Sequence, residues 1–203
     1  MKKHFYEAKS YEDAKNKALA ELKIDEDNII INILEEKQGI LKKSIKLEVI
    51  TINDIISFLK ETISQILNLM NIEANLEIRK REKNIEINIF SNNNSILIGK
   101  EGKTLDSLQN IIRQIALKEF GDKYRVTVDV ENYKEHRITN IERTARKIAR
   151  EVARTKIEAK LETMNSYERR IVHNTLSNNK YVYTESIGEE PNRYVVIKLK
   201  EEN

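Results

Sequence analysis

Hydrophobic positions change their period several times along the chain, and each change marks an element. Ile29, Ile31 and Ile33 alternate with polar residues, and residues 44–50 repeat that pattern, which suits half-buried strands. Residues 4–8 also suit a strand. Ala14, Ala18, Leu19 and Leu22 share one helical face that ends near Lys23. Ser10 precedes this face as an N-cap, and Glu12 and Asp13 fall where the helix dipole favours acids. Residues 1–51 therefore predict a strand–helix–strand–strand module. Ile55, Ile56, Leu59, Ile63, Ile66, Leu67 and Met70 then recur at three and four, predicting a helix over 53–70 capped by Asn53 or Asp54. So wide an apolar stripe must be buried. Packing on a neighbouring sheet is the expected use, with a linker helix or a partner surface as alternatives.

Residues 76–81 and 85–90 read as two strands joined by the polar Glu82-Lys83-Asn84, and residues 124–130 as a third, with Val126, Val128 and Val130 on one face. Between them Gly99-Lys100-Glu101-Gly102 separates a short helical turn at 95–98 from a helix. Leu105, Leu108, Ile111, Ile112 and Ile115 make the apolar face of that helix. Glycines admit close approach of another backbone. The unpaired N–H groups and positive dipole end of the following helix favour phosphate. A bare Gly-x-x-Gly is more often a tight turn, so the weight comes from the order strand, strand, helix, loop, helix, strand. That order resembles a type II KH domain over residues 73–131. The resemblance implies a loop that clamps about four nucleotides of single-stranded RNA or DNA by their backbone. Gly99 and Gly102 would admit the backbone, Lys100 and Lys103 add charge, and Ile96 and Ile98 wall a groove for bases. Glu101, at the tip, would oppose phosphate.

The last third opens with a predicted helix over 133–161, whose core face is Ile138, Ile141, Ala145, Ile148, Ala149 and Val152. Residues 134–160 hold nine basic and four acidic side chains, an excess beyond ordinary salt-bridge lacing that points to phosphate. Arg146, Arg150 and Arg154 carry this supporting charge. The run Tyr167-Glu168-Arg169-Arg170-Ile171-Val172-His173 comes next, then strands at 181–185 and 193–200 around a turn at 188–192. Arg169 and His173, four apart, share a helix face. Together these segments resemble the R-3-H domain, named for an arginine and a histidine three residues apart and associated with single-stranded nucleic acid. The resemblance implies Arg169 as a forked phosphate donor, with Arg170 and His173 beside it. The structural alternative pairs Arg169 with Glu168, Glu185 or Glu189 as a brace. Proline is common before this run in the family. Ser166 stands there instead and is expected to cap the helix.

The N-terminal module resembles that of the Jag, or SpoIIIJ-associated, family. Of that family's turn after the second strand only Gly39 survives, within residues 37–43. With three modules in the family's order, the chain is identified as a Jag family member. The implied fold is α+β, with an N-terminal domain (1–51), a linker helix packing on KH (52–72), a KH domain (73–131) and an R-3-H domain (132–203). The implied function is a non-enzymatic RNA-binding protein, a post-transcriptional regulator linked to cell shape and wall synthesis. The alternative is a protein-interaction adaptor beside the membrane-insertase machinery. The expected partners are single-stranded RNA, or single-stranded DNA, and a small single-KH-domain protein, with a homodimer left open.

Composition narrows the remaining choices. The net charge is only +3, but residues 134–203 hold fifteen basic against eleven acidic side chains. Cysteine is absent, which excludes disulfides and thiolate metal sites and fits the cytoplasm. His4, His136 and His173 are scattered, so no metal, catalytic residue or cofactor is expected. The basic N-terminus lacks an apolar segment, so no signal peptide is expected, and no apolar run is long enough to span a bilayer.

Overall fold

The computed structural model describes residues 1–38 and 43–200, so the turn at Gly39 lies outside the described residues. Two compact units emerge, Met1–Leu97 with Thr104–Asp129, and Ile98–Lys103 with Val130–Asn203.

The first unit begins with β1 (His4–Ala8), α1 (Tyr11–Leu22), β2 (Ile29–Gln38) and β3 (Lys43–Thr51). The strands form an antiparallel sheet in the order β1-β3-β2. Ser10 Oγ accepts from Asp13 N at 3.2 Å, and Lys23 closes α1 in the left-handed conformation, as the pattern predicts. Ala14 and Ala18 are fully buried, and residues this small let α1 sit close to Tyr6, Leu47 and Val49.

Helix α2 (Ile52–Leu69) buries Ile55, Leu59, Ile63 and Leu67 and packs against β3 and against β4 (Ala74–Arg81). Its cap is Thr51, upstream of the expected Asn53 or Asp54. Thr51 ends β3 with extended backbone, so its Oγ1 reaches Asp54 N at 3.2 Å. Asp54 sits at the third helical position and accepts from Thr51 N at 3.1 Å, completing a capping box. His4 Nε2 also lies 3.0 Å from Asp54 Oδ2, tying β1 to the start of α2.

The second sheet has the order β4-β5-β6, with β5 (Asn84–Ser91) and β6 (Arg125–Val130). Ile85, Ile87, Ile89, Val126 and Val128 form its buried face. Helices α3 (Asn94–Ile98) and α4 (Lys103–Phe120) lie between β5 and β6 in sequence. Leu105, Leu108, Ile112, Ala116 and Phe120 are the buried row of α4. Ile111, expected on that face, is exposed, because at about 100° per residue it stands well off this row. Gln109 clamps α4 to β6, donating to Val126 O at 3.0 Å and accepting from Val128 N at 2.7 Å. Tyr124 is buried and donates to Asp27 O at 2.8 Å, and Lys123 donates to Ile29 O, which joins the two sheets' surroundings into one unit.

In the second unit, α5 (Tyr133–Thr155) and α6 (Ser166–Leu176) pack on an antiparallel sheet of order β7-β9-β8, with β7 (Ala159–Thr163), β8 (Val182–Ile187) and β9 (Tyr194–Leu199). Ile141, Ala145, Ala149, Val152, Val172, Val195 and Ile197 share its core. The helix expected to reach residue 161 stops at Thr155, because Lys156 turns left-handed as its C-cap. Residues 159–163 form the strand β7 in place of the helix end expected there. Lys160 therefore stands on a strand over the ring of Tyr194, not on the basic helix.

The capping box at Thr51 yields a direct test. Thr51→Ala should cost about 1 kcal/mol of stability, while Asn53→Ala should stay within about 0.5 kcal/mol. Urea unfolding followed by circular dichroism distinguishes the two.

Candidate nucleic-acid interface

Three sequence-predicted features reach the described surface in different states. The first is the loop between α3 and α4. Gly99 has φ 70 and ψ −177, a region open essentially to glycine alone. After Lys100, Glu101 (φ 57) and Gly102 (φ 80) again take positive φ. At Gly102 the backbone angle favours glycine, and a Cβ there would press on the Tyr133 ring, meeting Cε1 at 3.0 Å. Left-handed backbone costs a non-glycine residue about 1–2 kcal/mol, and Glu101 has a compensating contact. Thr163 Oγ1 donates to its Oε2 at 2.7 Å. That hydrogen bond outweighs burial and, with Lys103 and Lys100 nearby, holds the Glu101 carboxyl below the usual range.

Glu101 is thus turned inward, its side chain only 11% exposed, rather than projecting from the tip towards a phosphate. Lys100 is exposed and Lys103 is largely so, at 3.4 Å from Glu101. Ile96 is exposed and Ile98 half-buried, Ile96 presenting bare apolar surface beside the glycines in sequence. Lys103 is also the first residue of α4, so the loop runs directly into a helix N-terminus.

The second feature is α6. Its cap is Asn165 rather than Ser166. Asn165 Oδ1 accepts from Glu168 N at 3.0 Å, and Glu168 Oε2 accepts from Asn165 N at 3.1 Å. The other oxygen of Glu168 accepts from Arg137 Nε at 2.7 Å, an ion pair between α5 and α6 that sequence spacing could not announce. Arg169 does not present a free fork. Its side chain is 8% exposed, Nη1 donates to Met164 O at 2.7 Å, and Glu190 Oε1 stands 2.8 Å away. This is a bracing arrangement, with Glu190 in the place expected of Glu168, Glu185 or Glu189. Arg170, one residue on, is exposed and has no ion-pair partner among the described residues. His173 is half-buried, its Nδ1 2.6 Å from Thr184 Oγ1. Burial pushes its pKa down and the Arg169 charge pushes it further, so the ring is neutral at pH 7. Tyr167 is exposed on the same helix.

The third feature is the basic surface of α5. Arg146, Arg150 and Arg154 are all exposed, but Arg146 is tied to Glu142 at 3.2 Å. Arg143 and Lys147 are exposed beside them. Among the described residues no cluster of three acidic or histidine side chains could hold a metal ion. No helix among them is long and apolar enough to cross a membrane.

The order α2-β4-β5-α3-α4-β6, with a glycine loop between α3 and α4, is that of a type II KH domain, here followed by a second helix-on-sheet module. Family comparison gives the same three parts in the same order. The Jag N-terminus matches residues 6–50, the KhpA/KhpB KH domain residues 56–128, and the R-3-H domain residues 139–199. The RNA-binding protein KhpB of Clostridium symbiosum is 42% identical over 206 residues, covering 97% of this chain and 91% of the relative. That of Bacillus subtilis is 32% identical over 200 residues, covering 95% and 96%. The Streptococcus pneumoniae D39 protein of the same name is 32% identical over 135 residues, 66% of this chain and 41% of the relative. This chain belongs to the KhpB, or Jag, family.

The environment of α6 makes two linked quantities measurable. Arg169→Ala should lower stability by about 1–3 kcal/mol, since Met164 O loses a charged donor. His173 should titrate below about 6.5, the ordinary histidine value, and its midpoint should rise in that variant once the neighbouring charge is gone. A depressed histidine pKa contributes stability that is present above pH 6.5 and is lost as the pH falls towards the folded value. NMR titration of the ring and pH-dependent unfolding check both signs.

Proposed function

We propose that this chain is a non-enzymatic RNA-binding protein that grips single-stranded RNA by its sugar–phosphate backbone and acts as a post-transcriptional regulator. The observation that carries the reading is Gly99, whose backbone angles only glycine adopts, standing immediately before exposed Lys100 and the N-terminus of α4. Curated relatives that align over nearly the whole chain are named RNA-binding proteins, which supports the same ligand. At the loop, Gly99 leaves room for a backbone to approach, Gly102 packs buried against Tyr133, the positive dipole end of α4 attracts phosphate, and Lys100 supplies charge. Glu101, held by Thr163, shapes the loop and keeps its carboxylate off the phosphate path. On α6 the exposed Arg170 supplies the cation for nucleic acid, while Arg169 holds the helix in place. Tethering two weak sites in one chain raises the joint affinity through effective concentration. The family resemblance extends the proposal to the cytoplasm and to a small single-KH protein as partner.

Lys100→Asp leaves both glycines and the Glu101–Thr163 bond intact, so the variant should melt like the parent. Its affinity for a single-stranded RNA oligonucleotide should fall about tenfold, or ~1.4 kcal/mol. The parent's log–log salt slope should be about −0.7 per neutralised phosphate. Fluorescence anisotropy at several salt concentrations measures both. Unchanged RNA affinity in a folded Lys100→Asp protein would remove the loop from the site and favour an adaptor role.

A further inference from the structure

Helix α5 carries a charge arrangement that its own folding does not explain. Arg143, Lys147, Arg150 and Arg154 are spaced four, three and four apart, so they fall within a sector of about 60° and extend about 16 Å along the axis. All four are exposed. Cations three or four apart on a helix repel one another. Acids placed to relieve that repulsion are nearly absent. Glu142 is engaged by Arg146, off to the side of the stripe, and Glu151 makes no ion pair with Lys147, Arg150 or Arg154. Arg143 donates to Asn140. The helix dipole accounts for a cation in the last turn, at Arg154, but not for those two and three turns earlier.

On the flank of the same helix a groove of about 250 Å³ opens between α5 and β7. Ile141, Ile148 and Leu161 supply apolar lining, and Asn140 and Thr144 stand on the helix between the groove and the stripe. Arg137 and Glu162 also line the groove, with Arg137 Nη1 3.9 Å from Glu162 Oε2 and its Nε held by Glu168. Drug-sized pockets run to about 300–1,000 Å³, so this one suits a single flat ring.

We infer that α5 and β7 form a further single-stranded RNA site, in which phosphates follow the Arg143–Arg154 stripe and one base enters the groove. The stripe supplies forked guanidinium donors at one-turn intervals for successive phosphates. The groove receives an unstacked base, with Asn140 and Thr144 as polar partners at its edge. Single-stranded RNA is the occupant because its bases are free to splay out, whereas duplex RNA keeps them stacked. This site deepens the reading of the chain as an RNA-binding protein and rests on it, but uses neither the glycine loop nor α6.

The test measures binding of a mixed-sequence single-stranded RNA oligonucleotide to the full chain across a salt series, with thermal unfolding alongside. In K147A/R150A, affinity at low salt should fall about tenfold and the salt slope should become shallower by about 1.4, the contribution of two phosphates. Its melting temperature should hold or rise as repulsion is relieved. In the control K17A/K60A, which removes two exposed lysines from other helices, the slope should stay unchanged. T144F, which fills the groove mouth, should weaken binding several-fold and leave the slope unchanged. A K147A/R150A protein with parental affinity and slope, or equal losses in the control, would overturn the inference while the loop site still stands on Lys100→Asp. No binding by the parent chain would overturn both.

Discussion

A backbone that passes through a glycine-only region at Gly99, and returns to positive φ at Glu101 and Gly102, is the constraint on which the loop's chemistry depends. Such a conformation is not stable by itself. It is held by Tyr133 packed against Gly102, where an added Cβ would lie 3.0 Å from the ring, and by the Thr163 hydroxyl on Glu101. Both partners belong with residues 130–200, and Ile98–Lys103 clusters with that unit rather than with the helices on either side of it. The exposed amino group of Lys100 is presented by a loop whose shape is decided by residues 31 and 62 positions further along the chain. Acidic Glu101, which would weaken a phosphate site if it faced outward, instead stabilises that shape.

The same economy of charge recurs across the second unit. Glu168 caps α6 with one oxygen and takes Arg137 with the other, and Arg169 turns inward to a carbonyl and to Glu190. Buried charges persist in proteins when they are paired and hydrogen-bonded, and these are. Among the described residues the exposed Arg170 on α6 and Lys147, Arg150 and Arg154 on α5 have no ion-pair partner. Burial thereby sorts a sequence rich in arginine into residues that hold the fold and residues that meet the solvent. His173 is half-buried against Thr184, where desolvation and the Arg169 charge push its pKa down.

Much of the architecture was legible in the chain because hydrophobic period is a local property. The period-two runs became β2, β4, β5 and β6, and the wide stripe of 53–70 became α2. Errors fell where a local rule has two readings. Thr51 and Asn165 cap their helices one to three residues before the residues expected, because a cap needs extended backbone, which only the preceding strand or loop provides. Residues 156–161 read as helix because basic residues continue past the true end, whereas the left-handed turn at Lys156 is invisible in composition.

By itself the sequence determined the order of the elements, the glycine pair that opens the loop, the helix faces that seek burial, and the excess of positive charge on α5. It could do so because each is set by residues within a turn or two of one another. Only the tertiary structure decided which charges are free. Arg169 and Arg170 are neighbours of the same chemistry, yet one lies against Met164 O and Glu190 and the other faces solvent. Glu101 points to Thr163, and Arg137 to Glu168, across 62 and 31 residues. Such pairings depend on where a folded chain brings distant groups within about 3 Å, the reach of a hydrogen bond, and no periodicity encodes that distance.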